Sequence, residues 1–307
     1  MQRLKNWQLF AICVLTWGTT WYAITFQIGH TPAEVGVALR FGLAGAVVLA
    51  MCALRGLRLR FTRREHALLA LQGGFMYGLS YVCIYHAEQH VVSGLVAVGY
   101  SASPLISGLG ARLLFGMRVT PRFVFGGLLG LAGVALIFWP EFGKTALESS
   151  AGGSIAMLGA LFTIASVLLS TVGSLTASRN RHHGLPFWPA LGFGMLYGAA
   201  VSVVAALLQG QSFAPPAVAS WWLSLLYLAL AGSVLSFACF LTLQERIGPG
   251  PVGAVGVMTP LLALAISVLF EAFHPTWLTF AGAALAVLGN VLMLSPKRMR
   301  LASASSA

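Results

Sequence analysis

Residues 79–105, LSYVCIYHAEQHVVSGLVAVGYSASPL, return without insertion at residues 235–261 as LSFACFLTLQERIGPGPVGAVGVMTPL. At this offset of 156 residues, Leu79/Leu235, Ser80/Ser236, Cys83/Cys239, Gly94/Gly250, Val96/Val252, Pro104/Pro260 and Leu105/Leu261 coincide. Gly126/Gly282 and Gly133/Gly289 continue the register. One half of the chain copies the other. Each copy contains five stretches that read as membrane crossings, and an odd number forces the copies into opposite orientation, the arrangement that lets a transporter open to either side. The expected fold is an all-α membrane protein of ten transmembrane helices, built as two inverted five-helix repeats over residues 1–147 and 148–307.

Composition supports the same class. Hydrophobic residues make up 58% of the chain, charged residues 8%, and the mean hydropathy is +0.86. A soluble globule would carry about a quarter charged residues. The polar gaps, such as 55–65 and 209–220, are too short to build a separate soluble domain. The net charge of +11 comes from residues scattered through short loops rather than from a basic stripe with interleaved aromatics, so nucleic acid is not an expected partner. Cys13, Cys52, Cys83 and Cys239 sit in apolar segments without metal-ligand spacing and read as buried thiols. Arg3 and Lys5 precede an apolar run from Trp7 to Ile28 that is too long for a signal peptide and has no small-residue cleavage site, so it is expected to remain as the first span.

A crossing helix needs about 20 apolar residues. The sequence predicts crossings near 7–28, 33–54, 66–87, 91–115, 122–140, 153–177, 186–208, 220–243, 250–272 and 276–295. Pro32, Pro121, Pro186, Pro251 and Pro275 stand at or near first-turn positions, where a missing amide hydrogen costs least. With the N-terminus cytoplasmic, every Lys and Arg except Lys144 and Arg40 falls in an inner segment, as the positive-inside rule requires. Both termini are therefore expected inside. Gly126, Gly127, Gly130 and Gly133 make a small-residue stripe of the kind that lets helices approach closely. Gly282 and Gly289 repeat its spacing, which suits packing of these two helices against each other or against a second protomer.

Trp17-Gly18 in the first span, Arg40 in the second, the segments around Pro104 and Pro260, and the small-residue helices ending near Gly133-Val134 and Gly289-Asn290 together resemble the drug/metabolite transporter superfamily. Within it, the chain is similar to the EamA-like ten-helix permeases from Trp7 to Ser295. The resemblance implies a bacterial-type inner-membrane permease that moves small organic solutes, mostly outward, with a cavity among the first, third, fourth, sixth, eighth and ninth helices. It implies no cofactor, and it leaves the substrate and the oligomeric state open. Members often carry a glutamate at the end of the fourth and ninth helices. Here Met117 stands at the first place, and Glu271 lies two residues before the second, Phe273.

The chain contains no Asp, which removes paired-aspartate intramembrane chemistry. Arg40 lies about eight residues into its span, roughly 12 Å at 1.5 Å per residue, too deep to snorkel easily. Two readings are open: it faces a wet cavity and pairs with a solute carboxylate or phosphate, or it ties helices together through carbonyls or through Glu34 or Glu88. Trp17 and Trp21, and Tyr77, Tyr81 and Tyr85, form helical stripes that are either core or cavity wall; Trp17, Tyr77, Tyr81 and Tyr100 sit nearest mid-span, where a hydroxyl or indole N–H needs a partner. The expected solute-binding set is Trp17, Arg40, Tyr77, Tyr81, Tyr100, Ser103, Thr163, Ser166 and Thr259. Pro104 and Pro260 are expected to bend the fourth and ninth spans as matched hinges or as static bends, freeing the carbonyls of Tyr100 and Gly256. His86, Glu88 and His90 alternate, a spacing that points to different sides of a helix and disfavours a metal site there. The leading function is an exporter of a small organic metabolite, an amino acid or related amphipathic compound, working by alternating access. The competing functions are a membrane enzyme with Ser93 or Ser154 as nucleophile, and a non-transporting scaffold or receptor.

Overall fold

The computed structural model describes residues 3–116, 119–148, 150–214, 216–247, 252 and 254–294. The expectations for Met117, Pro251, Gly250 and the basic residues after Ser295 lie outside these residues, as do those for the side chains of Lys144, Ser154 and Glu245. All the regular elements among them are helical.

α1 covers Asn6–Thr25 and α2 covers Ala33–Leu54. α3 covers Arg63–Glu88, and six residues in its middle, Gly74–Leu79, wind as a π-helix. The fourth passage is split into α4, Ser93–Gly99, and α5, Ser103–Phe115, by a 3₁₀ turn over Tyr100–Ala102. α6 spans Pro121–Glu148, α7 Ser150–His182 and α8 Phe187–Leu208. α9 comprises Ala219–Ala229 and Ser236–Ile247 around a second π-helical turn, Leu230–Leu235. α10 is Ala254–Phe270 and α11 is Trp277–Leu294. Six of these elements are long and apolar enough to cross a bilayer: α2, α3, α8, and segments of α6, α7 and α9. Shorter apolar helices cover Met258–Phe270 and Trp277–Met293.

The helix ends follow from local chemistry. Pro32 and Pro186 cap α2 and α8, and Pro121 opens α6. Thr62 and Glu65 form a reciprocal capping box at the start of α3. Gly56 and Gly210, each two residues beyond the end of its helix, close α2 and α8 with the same positive φ of 64°, a conformation that favours glycine. The split of the fourth passage has a plain cause. Pro104 cannot donate to the carbonyl of Tyr100, and it stands in the first turn of α5, where no donor is needed. Pro260 instead lies inside the continuous helix α10.

The two π turns lie 156 residues apart, in the register of the sequence repeat. Each is followed by a serine that satisfies a loosened carbonyl: Ser80 Oγ donates to Met76 O at 3.0 Å, and Ser236 Oγ to Ala231 O at 2.6 Å.

Glycines set the closest packing. A Cβ on Gly126 would stand 2.6 Å from the Gly289 carbonyl oxygen, and one on Gly282 would stand 2.5 Å from that of Gly133. The glycine stripes of α6 and α11 therefore meet each other, with the two helices running in opposite directions. α2 packs on α8 in the same manner, Gly45 against Gly192 and Leu196. α3 packs against α7 and α8, while α1 is embraced by α9, α10 and α4.

Candidate functional site

The first π turn, at Met76, and the broken fourth passage border a cavity of about 270 Å³. Its walls come from α1, α3, the α4–α5 break, α7, α9 and α10, with Arg40 reaching in from α2. Aromatic rings supply much of the surface. Trp17 lies 5.2 Å from Phe237 and 5.0 Å from Phe240, and Trp21 lies 5.3 Å from Tyr100. The Trp17 indole donates to the Gly232 carbonyl at 3.1 Å, a group within the second π turn.

Arg40 is 1% exposed. Its Nε donates to Ser233 Oγ at 3.1 Å, and that hydroxyl donates in turn to Leu228 O at 2.9 Å. Its guanidinium carbon stands 4.7 Å from the Tyr81 ring centre and 5.1 Å from that of Phe41, so two π faces share its charge. Among the described residues no carboxylate pairs with it: Glu34 is held by His86 at 3.0 Å, Gln209 at 3.1 Å and Gln211 at 2.7 Å.

Four polar groups on the wall are buried without a hydrogen-bond partner: Arg40 Nη1, Trp21 Nε1, Thr171 Oγ1 and Thr259 Oγ1. Two are obligate donors and two are hydroxyls. Leaving such groups unmet costs about 1–3 kcal/mol each, so a solute bringing acceptors recovers that energy. Among the described residues the lining contains one cation and no carboxylate.

Of the residues singled out in the sequence, Trp17, Arg40, Tyr81, Tyr100, Ser103, Thr259 and Pro260 line the cavity. Tyr77, Thr163, Ser166 and Pro104 do not. Tyr77 is packed between Phe41 and Phe237, at 5.3 Å and 5.2 Å, and against α8. Thr163 donates to Gly159 O at 2.8 Å, and its methyl group fills the space beside Gly99. Ser166 accepts from the Tyr100 hydroxyl and donates to Ser80 O at 2.7 Å, fixing a wall residue from behind.

Sequence reasoning passed over Thr20, Ser107, Ser170, Thr171, Ser174, Phe237 and Phe240, which also face the space. A signal existed in part, because Ser103/Ser107 and Ser170/Ser174 are each four residues apart on apolar helices. Outside the cavity, Ser93 donates to Glu271 Oε2 at 2.6 Å at the start of α4, and His86 and His90 stack on Phe162 at 5.1 Å and 6.2 Å. Among the described residues no group of three His, Cys, Asp or Glu is placed to hold a metal ion.

A family model for the EamA-like transporter family matches residues 6–139 and 157–295. The chain belongs to this EamA-like transporter family. Several relatives of this EamA-like protein carry transporter names. The uncharacterized inner membrane transporter YedA of Escherichia coli (strain K12) is 26% identical over 262 residues, covering 84% of this chain and 80% of YedA. The aromatic amino acid exporter YddG of Ancylobacter novellus is 26% identical over 267 residues, 83% of this chain and 85% of YddG. Protein PecM of Dickeya dadantii is 27% identical over 269 residues, 87% of this chain and 84% of PecM. A solved crystal structure at 24% identity has a TM-score of 0.65 over 94% of this chain and 96% of its own, and it shares the fold. The protein is a membrane transporter of the EamA-like family, and its partners are a small-molecule solute and the bilayer.

Proposed function

We propose that this protein exports a small amphipathic organic solute carrying a carboxylate and an apolar or aromatic body, an amino acid or close relative, across the inner membrane by alternating access. The observation that carries the reading is the cavity wall itself: one guanidinium with an unmet Nη1, three further unmet polar groups, aromatic faces and no carboxylate. A carboxylate would meet Arg40, Trp21 and the two threonines, while the body would lie against Trp17, Tyr81, Tyr100 and Phe237. Ser103 adds a further polar contact, and Tyr77, Thr163 and Ser166 hold the wall in place. A cationic solute would find a positive charge and no counter-charge. At about 270 Å³ the space falls just below the ~300–1,000 Å³ usual for drug-sized ligands, which suits a single metabolite. The outward direction is taken from the name of the exporter among the relatives.

In this reading, residues 1–147 and 148–307 are two inverted five-helix halves, ten crossings in all, with both termini cytoplasmic. The reciprocal glycine contacts of α6 and α11 support it, since Gly126 meets Gly289 as Gly133 meets Gly282, the pattern of a pseudo-two-fold axis. The break before Pro104 and the proline within α10, Pro260, serve as hinges between the states.

Counterflow in proteoliposomes tests the substrate class. Phenylalanine and phenylacetate are expected to exchange against their labelled forms, and tetraphenylphosphonium is not. Exchange of the cation alone would overturn the reading.

A further inference from the structure

Beyond the cavity, one acidic side chain is buried without any partner. Glu88 closes α3, is 9% exposed, and has no hydrogen-bond donor at either carboxyl oxygen. It lies one turn beyond Ile84, which lines the cavity, so the two share a helix face. His86 and His90 flank it on its own segment and stack on Phe162. From other helices, Glu271 just past the end of α10 and Arg40 on α2 act on it electrostatically. Glu34 on α2 is already bound by His86, Gln209 and Gln211. α1 brings Tyr22, edge-on to Phe26 and tilted against Phe270; on α3 itself Tyr85 donates to Gln27 at 2.9 Å. The facing parts of α4 and α7 bring no titratable side chain.

Glu271 differs from Glu88 in one respect that matters. Its carboxylate accepts from Ser93 N at 3.3 Å, from Ser93 Oγ at 2.6 Å and from Ser267 Oγ, so its charge is met. An ionised Glu88 would have no donor at all, and an unpaired buried charge is far more costly than a neutral carboxyl. Across from it, Arg40 Nη1 is also unmet. The two orphaned groups are of opposite kind and sit on helices that pack together.

We propose that Glu88 is the proton-binding site of this transporter, and that its protonation leaves Arg40 free to receive the solute carboxylate. A proton from the solution at that helix end binds one oxygen of the Glu88 carboxylate; no other bond is made or broken. When the proton leaves, the carboxylate competes with the solute for the guanidinium. Solute binding and proton binding therefore favour each other, and by linkage each anion bound draws in one proton. This rests on Arg40 receiving the solute, as proposed above, whereas the identity of the proton site does not.

The experiment uses the full chain in liposomes. Infrared titration without solute is expected to show a protonated-carboxyl band that fades as pH rises, is missing in Glu88→Gln and is kept in Glu271→Gln. Absence of the band in the wild type, or its survival in Glu88→Gln, overturns the site. Phenylalanine is then added at a series of pH values. Above the midpoint of the band its apparent affinity is expected to fall about tenfold per pH unit, the slope of one linked proton, and to be flat in Glu88→Gln. A flat wild-type profile with phenylalanine bound overturns the coupling. Failure of the wild type to bind or exchange any carboxylate overturns the cavity reading instead, and the infrared band still decides Glu88.

Discussion

The two π turns share one winding and one place in the repeat, yet they are used in opposite ways. The first, Gly74–Leu79, carries a large side chain, Tyr77, and presses it against α8 at Gly194 and Gly198. The second, Leu230–Leu235, carries Ser233 at the place of Tyr77, and α2 presents Arg40 to it. Arg40 and Gly194 are each the eighth residue of their 22-residue helices. Bulk has thus changed sides between the two matched contacts: tyrosine on the first π turn against glycine on α8, serine on the second against arginine on α2. The first arrangement makes a clamp of backbone on backbone. The second places a cation at the edge of the cavity and holds it by one hydroxyl, leaving a donor free. A duplicated scaffold has been kept while a local exchange of volume divided the work between packing and recognition.

The largest effect is expected where the clamp is tightest. A Cβ on Gly198 would lie 2.8 Å from the Gly73 carbonyl oxygen, 2.8 Å from Gly78 N and 2.7 Å from Tyr77 Cβ. Backbone cannot yield as a side-chain tip can, so Gly198→Ala should lower stability by about 3 kcal/mol, the upper end of overpacking costs. The matching position on α2 is Ala44, already an alanine and fully buried. Thermal unfolding in detergent compares Gly198→Ala with Ala44→Gly. The contrast breaks if the first variant melts with the wild type.

Recognition is the next difference to probe. Arg40→Ala should weaken phenylalanine binding by about 1.5–3 kcal/mol, the range for a hydrogen bond to a charged group, with folding intact because Ser233 retains its bond to Leu228 O. Tyr77→Phe, at the matched contact of the first π turn, should leave binding within about twofold, an effect below ~0.5 kcal/mol and usual for a change away from the contact surface. Equilibrium binding of both variants in proteoliposomes measures the pair. Equal losses would mean that Arg40 is structural, tying helices as Tyr77 does.

This division also marks where the sequence could and could not be read. Apolar runs and Pro32, Pro121 and Pro186 located the helices they punctuate, because burial and a missing amide act locally. Arg40, Tyr81 and Tyr100 were legible because polar groups at depth need partners. Tyr77 was grouped with Tyr81 by α-helical spacing. The π turn ending at Leu79 inserts extra backbone between them, so Tyr77 turns to α8 while Tyr81 faces the cavity. No residue type announces a π turn, which depends on the neighbours that donate to its loosened carbonyls. Ser170 and Thr171 were hidden for another reason: serine and threonine in apolar helices commonly bond back to their own turn, as Ser170 does to Val167 O at 3.0 Å.

The smallest expected effect isolates the π turns themselves. Ser80 and Ser236 are the matched serines of the repeat, and each satisfies a carbonyl of its own turn, Met76 O or Ala231 O. The one hydroxyl hydrogen of Ser236 is shared with Thr16 Oγ1 on α1, also at 2.6 Å, because Thr16 donates its own to Ile12 O at 2.6 Å. Removing the Ser80 hydroxyl therefore loosens one helix, whereas removing that of Ser236 loosens one helix and its contact with a cavity wall. A shared hydrogen counts for less than a second full bond of about 1 kcal/mol, so Ser236→Ala should cost more stability than Ser80→Ala by less than about 1 kcal/mol. Ser236→Ala should also slightly weaken phenylalanine binding, because α1 carries Trp17 and Trp21. A double-mutant cycle of Ser236→Ala with Thr16→Val separates the cross-helix bond from the rest. A coupling near zero would place the two serines on an equal footing, and would mean that the second turn differs from the first through Arg40 alone.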